Sequence, residues 1–193
     1  MLRAIGIAAA AAATLVLSAC GGGRAATSFT PKVTNLGHGL SVQLPAGWRA
    51  ATTNLTPHLL DPREEMSVGT FPLRYRQGLC AQFPSGTLED LGPRDAFVTL
   101  QERGFDRKST WPDFPPRPAQ FGPSLGGGSE VEDCVKPARF SDHWFGFTDD
   151  GRHFNVLVVF GLQASQQVQQ QAWAILDSLR VDPHVQPDWR ASP

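Results

Sequence analysis

No apolar run in this chain is long enough to cross a bilayer as a permanent helix. The longest, Ala4 to Leu17, has about fourteen residues where a span needs about 20. An excess of positive charge is also missing. Seventeen basic side chains face 18 acidic ones, so the basic face that nucleic acid requires is absent and that class of partner is excluded. Cysteine is scarce, at three in 193 residues, and neither CxxC nor HxxxH spacing occurs, which removes the common zinc arrangements. The glycine run Gly126-Gly-Gly-Ser129 lacks the lysine and the following helix of a phosphate loop. Gly122-Pro-Ser124-Leu-Gly126 matches the GxSxG pattern in letters only. A nucleophile elbow needs a helix straight after the serine, and the proline before Ser124 and the glycines after it leave no place for one. No cofactor is implied by any of these stretches.

What the sequence does contain begins at its N-terminus. Arg3 supplies a positive start, Ala4 to Leu17 an apolar core, and Ser18 and Ala19 small residues before a cleavage point. This is the three-part layout of a secretory signal peptide. Leu17-Ser18-Ala19-Cys20 at its end resembles the bacterial lipobox at all four positions. The resemblance implies that the Cys20 thiol takes a diacylglyceryl group and that a signal peptidase cuts between Ala19 and Cys20. Two acyl chains hold a protein far more firmly than one, at about 0.8 kcal/mol per buried methylene. The expected location is the cell membrane, lipid-anchored on its extracytoplasmic face. Removing residues 1–19 takes Arg3 away and leaves a net charge of about −2, which also argues against a polybasic membrane patch.

Once Cys20 is assigned to lipid, Cys80 and Cys134 remain as an even pair in an exported chain, where disulfides persist. A disulfide is the expected state. Two free thiols or half of a metal site are the alternatives.

The expected organisation is a signal peptide over 1–19, a lipidated cysteine and flexible tether over 20–36, one globular domain over 37–183 and a C-terminal tail over 184–193. Leu40 to Leu44 alternates as a half-buried strand, and Trp48 after the turn at Pro45-Ala-Gly47 is a large core anchor opening a second strand to Thr53. Met66 to Phe71 and Asp95 to Glu102 read as further strands, and Thr87 to Leu91 as a helical turn capped by Thr87. Trp111 to Pro118 must run extended, and Val131 to Val135 reads as a short strand carrying Cys134. His143 to Phe147 and His153 to Phe160 are aromatic and β-branched runs around Asp149-Asp150-Gly151, a hairpin signature. A helix follows over Gln166 to Leu179 with Ser165 as N-cap and Val168, Ala172, Ile175, Leu176 and Leu179 on one stripe. Arg180-Val181 adds a last short strand. The fold class is therefore α+β: a single domain with an antiparallel β-sheet and a C-terminal helix packed across it.

Candidate sites are few. His143 and His153 flank the hairpin, and with Asp142 they would form a weak metal site if the two histidines share one end of the ribbon. The plainer reading is strand-edge polar residues, and no metal is assigned. Glu64-Glu65 and Glu89-Asp90 are adjacent acids, and neighbours on a strand point to opposite faces, so neither pair makes an acid/base site. Pro115-Pro-Arg-Pro118 has the spacing of a docking peptide, although Trp111 and Phe114 favour packing over the core.

Two stretches carry a further resemblance. Gly39-Leu-Ser-Val-Gln-Leu-Pro-Ala-Gly-Trp48 resembles the first strand and turn of PsbP-like domains, and Ala174-Ile-Leu-Asp-Ser-Leu-Arg-Val181 the end of their final helix. That resemblance implies an α-β-α sandwich and an accessory, non-enzymatic role. Leu91-Gly-Pro-Arg-Asp95 and Phe114-Pro-Pro-Arg-Pro118 resemble uncharacterised actinobacterial lipoproteins, from which no residue role carries over. The expected function is a lipid-anchored extracytoplasmic binding or accessory protein of the cell envelope, engaging an envelope protein or small ligand. An envelope hydrolase or metal-dependent enzyme is the alternative.

Overall fold

The computed structural model describes residues 32–104, 114–127, 131–136 and 139–185. Cys20, the tail beyond Val185 and Trp111 to Asp113 lie outside them, as does most of the tether.

Two antiparallel sheets make the domain. The smaller holds β1 (Lys32–Gly37), β2 (Leu40–Leu44) and β8 (Arg180–Val181) in the order β1-β2-β8. The larger runs β3-β4-β5-β7-β6, from β3 (Arg49–Ala50) and β4 (Arg63–Gly69) through β5 (Ala96–Arg103) and β7 (Arg152–Gly161) to β6 (Phe140–Asp149). Three helices complete it: α1 (Ser85–Leu88), α2 (Val131–Cys134) and α3 (Gln166–Asp177). The α+β class and the C-terminal helix laid on a sheet are as the sequence predicts. The layering is uneven, with α3 on one face of the large sheet and only the one-turn helices α1 and α2 with loops on the other.

Both hairpins close through two residues of positive φ. In β6–β7 these are Asp150 and Gly151, at φ 48° and 74°, between the paired Asp149 and Arg152. In β1–β2 they are His38 and Gly39, at 48° and 73°. Such turns carry the right-handed twist of the strands they join. β1 occupies residues assigned above to the tether. Its side chains are exposed or half-buried throughout, so it has no buried stripe to alternate against polar positions.

Two apolar clusters lie on the two faces of the large sheet. Val98, Leu100, Phe154, Val156 and Val158 meet Leu40, Val42, Ala172, Ile175 and Leu176 from β2 and α3. Phe97, Leu157 and Val159 on the other face meet Leu55, Phe83, Leu88, Val131 and Val135. Trp48 is buried in the first cluster and donates its indole N–H to Gln171 Oε1 at 3.1 Å. Trp173, placed by the sequence at the flank of the helix stripe, is buried there too.

α3 begins where predicted, with Ser165 Oγ accepting from the Val168 amide at 3.3 Å. Its C-terminus is held by the proline-rich segment. Arg117 donates from Nη1 to Asp149 Oδ2 and Leu179 O, both at 2.8 Å, and from Nη2 to Leu176 O and Asp177 O at 3.2 and 3.1 Å. A cation on the last carbonyls opposes the negative end of the helix dipole. The backbone of the same segment pairs with Thr148 on the outer edge of β6, through Arg117 N to Thr148 O and Thr148 N to Pro115 O at 2.8 Å each. The PxxP stretch thus covers a sheet edge that would otherwise invite pairing. Arg117→Ala should lower unfolding stability by about 2 kcal/mol in urea titration. Arg117→Lys should recover less than half of that, because an ammonium cannot reproduce the planar fork.

Three local expectations are corrected. Val131–Cys134 is a helical turn, not a strand, closed by Val135 N to Val131 O at 3.1 Å. α1 starts at Ser85, so Thr87 lies within it and its hydroxyl donates to Arg74 O at 2.8 Å rather than capping. The strand after Trp48 is only two residues long, and that shortness creates the site below.

Candidate functional site: a cleft between the two sheets

β3 accompanies β4 only at Gly69 and Val68. One further bond, Ala51 N to Ser67 O at 2.8 Å, continues the ladder. The chain then leaves through Thr52 to Asn54 and returns at Leu55 and Thr56. Between this loop, the N-terminal half of β4 and β1 lies a cleft of about 300 Å³. Thr34, Asn35, Thr52, Thr53 and Asn54 supply hydroxyls and amides. Leu36, Ala50, Ala51 and Met66 supply apolar surface, and Glu64, Glu65 and Ser67 complete the lining. Among the described residues no Lys, Arg or His lines it.

The two glutamates part at an irregularity in the ladder, where the register shifts between Glu64 and Met66 and Glu65 stands opposite no β5 residue. Glu64 pairs with Gln101 on β5, while its neighbour Arg63 pairs with Glu102. Glu64 Oε2 accepts from Leu55 N at 2.9 Å and from Thr56 N and Oγ1 at 2.8 Å each. Its Oε1 stands 2.6 Å from Ser67 Oγ. The side chain therefore ties the returning loop to β4. Burial pushes this carboxyl upward, against hydrogen bonds from Ser67, Thr56 and Leu55 that pull it down.

Glu65 belongs to a second group of charges at the end of the sheet. Its Oε2 meets His38 Nδ1 at 2.8 Å and its Oε1 meets Arg63 Nε at 2.6 Å. Arg63 Nη2 lies 3.8 Å from Glu102 Oε2. Arg152 holds Glu102 with a two-pronged grip, Nε to Oε1 at 2.6 Å and Nη2 to Oε2 at 2.7 Å, and donates from Nη1 to His38 O at 2.8 Å. The chain of partners closes on itself and fastens the β1–β2 turn to the large sheet. Burial raises the Glu102 carboxyl and Glu65 adds to the rise, while Arg152 and Arg63 oppose it.

No protein-family model matches this chain, and no curated protein sequence matches it.

The remaining candidates are dispersed. His143 pairs with Val158 and His153 with Thr148, five positions apart along the ribbon, about 17 Å at strand rise. An odd offset also puts them on opposite faces. His143 packs its ring against Trp173, with centroids 5.2 Å apart, while His153 faces Phe114 at 6.2 Å. Asp142 is buried on the face opposite His143, six positions from His153. The shared end on which the metal site depended is corrected by this register. Among the described residues no group of three or more His, Cys, Asp and Glu is placed to hold a metal. Ser124 is exposed in a turn that no helix follows. Glu89 and Asp90 pair at the surface with Arg76, at 3.5 and 2.6 Å. Cys80 and Cys134 are bonded to each other, with Cα atoms 5.5 Å apart.

The cleft was not visible in the sequence. Glu64-Glu65 reads there as loop charge, and the partners that give each acid its role lie on other strands and loops. The arrangement can offer a visitor neutral donors and acceptors beside small apolar surfaces. Its described residues offer no cation to an anionic ligand, and its two acids are committed to internal partners.

Proposed function

We propose that the chain is a lipid-anchored protein of the extracytoplasmic face of the cell membrane, whose domain binds a ligand or partner at the cleft and does not turn it over. The pairing of Cys80 with Cys134, the two cysteines left when Cys20 is assigned to lipid, carries this reading. It fits an oxidising compartment, and Leu17-Ser-Ala-Cys20 supplies the route and the anchor. Binding is favoured over catalysis because the cleft acid, Glu64, is already engaged by Leu55, Thr56 and Ser67, whereas a general acid or base needs to reach its substrate. The attachment rests on Leu17-Ser-Ala-Cys20; among the described residues no helix is long and apolar enough to cross a membrane.

Intact mass of protein extracted from membranes should show residues 1–19 removed and a diacylglyceryl increment. The Cys20→Ser variant should lose both the increment and membrane fractionation, and retention of either sinks the anchor. For binding, a photo-crosslinking amino acid at Thr34 or Thr53, on the cleft, should give adducts in cells that the same group at exposed Leu162 does not. Equal labelling from all three positions would remove the cleft from the reading.

A further inference from the structure

Three oxygen–oxygen contacts run in line from the cleft into the large sheet. Glu64 Oε1 is 2.6 Å from Ser67 Oγ, Ser67 Oγ is 3.0 Å from Thr99 Oγ1, and Thr99 Oγ1 is 2.9 Å from the Met66 carbonyl oxygen. Each hydroxyl brings one proton, so two hydroxyls cannot supply three hydrogen bonds. With an ionised Glu64, one contact in the line has no hydrogen in it, and in a buried site that is unfavourable. A proton on Glu64 Oε1 fills all three. The acid donates to Ser67, Ser67 to Thr99, and Thr99 to the Met66 carbonyl. The other oxygen, Oε2, then acts as a carbonyl-type acceptor, and the three groups it meets, Leu55 N, Thr56 N and Thr56 Oγ1, all donate.

We propose that Glu64 stands in the folded protein as a neutral carboxylic acid whose proton completes this donor line, making the loop wall of the cleft a pH-sensitive lock. The proposal goes beyond the binding reading and holds whether or not a ligand enters the cleft. Among the described residues no charge faces the carboxyl to hold the anion in place. Arg63 and Glu65 flank it on β4 and are engaged with each other. Gln101 across on β5 is neutral. The loop over 51–56 and the β1 residues Thr34, Asn35 and Leu36 bring no charge to it. Burial acts in the same direction as the proton count. The sign follows: a folded-state pKa above the unfolded one gives a contribution complete below the ordinary glutamate range and lost as pH rises through the folded value.

The test uses the full chain in detergent, with glutamate carboxyl carbons labelled for NMR. Glu64 should titrate above the ordinary glutamate value of 4.5. Across its midpoint, amide exchange at Leu55 and Thr56 should rise relative to Val98 on β5 by up to about tenfold for each pH unit of the shift. Thr99→Val frees the Ser67 proton for an ionised Glu64, so its midpoint should move down toward the ordinary 4.5. Glu64→Gln keeps an acceptor for the loop and a donor for Ser67, so protection at Leu55 and Thr56 should lose its pH dependence. A Glu64 midpoint at or below 4.5, loop protection unchanged across it, or an upward move in Thr99→Val overturns the proposal.

Discussion

Arg152→Met is expected to lower unfolding stability by about 3–5 kcal/mol, the range for a buried charge left without its partner. Arg152 and Glu102 have side chains only 4% and 2% exposed, so solvent does little to soften the loss. What remains beside Glu102 is Arg63 at 3.8 Å, whose guanidinium is also committed to Glu65. The same change removes the donor to His38 O, so the β1–β2 turn, with His38 at positive φ, loses one of its two attachments to the large sheet among the described residues and keeps only His38 Nδ1 on Glu65. Arg152→Met combined with Glu102→Met should cost clearly less than the single change. The pair is worth little relative to apolar residues, and the penalty arises from orphaning one member. The single variant should also recover as pH falls toward 4.5, the ordinary glutamate value, because a buried Glu102 without Arg152 binds its proton more tightly in the folded state than in the unfolded one. Urea titrations of wild type, single and double variants at two pH values decide it. A double variant as unstable as the single would show that packing, not the charge, is what Arg152 supplies.

Where local chemistry settles an element, the sequence reads correctly. Asp150-Gly151 between two β-branched runs places the β6–β7 hairpin, and Ser165 with its apolar stripe places α3. β1 escapes because none of its side chains is fully buried, Leu36 alone of them packing against the core from the edge, and because its turn is His-Gly rather than Asn-Gly or Asp-Gly. Val131 to Val135 misleads because two valines four apart suit one helical face as well as a short strand, and period alone does not arbitrate so short a run. The histidine error had a remedy in the sequence itself. Once Asp149 faces Arg152 across the turn, the register pairs His143 with Val158, and the two histidines cannot share an end. The cleft had no such remedy. The proton line joins Ser67 to Thr99 and the ion pair joins Glu102 to Arg152. Partners so far apart in sequence are set by which strands become neighbours, which no local pattern records.

Removing the disulfide, as Cys80→Ala with Cys134→Ala, should cost about 4 kcal/mol, since the bond closes a loop across a sequence separation of 54 and the chain-entropy cost of that loop is of this size. The loss should not fall evenly. One face of the large sheet is covered by α3, a helix of 12 residues fixed at both ends. The other is covered by loops and by α1 and α2, four residues each, far below the length at which a helix holds itself together. Leu88 from one side of the bond and Val131 and Val135 from the other bury themselves against Phe97, Leu157 and Val159, and the Cys80–Cys134 bond joins their segments directly. Without it, each segment must dock alone and its ordering entropy is no longer shared. Hydrogen exchange should therefore quicken first over residues 80–91 and 131–136, while amides of α3 exchange only through global unfolding. Equal acceleration in α3 would mean that the bond stabilises the domain as a whole and has no special hold on the loop-covered face. The uneven outcome ties fold to compartment. In a reducing medium the face on which the described residues place only short helices should open, so the complete domain would need an oxidising compartment, which the location proposed above would supply.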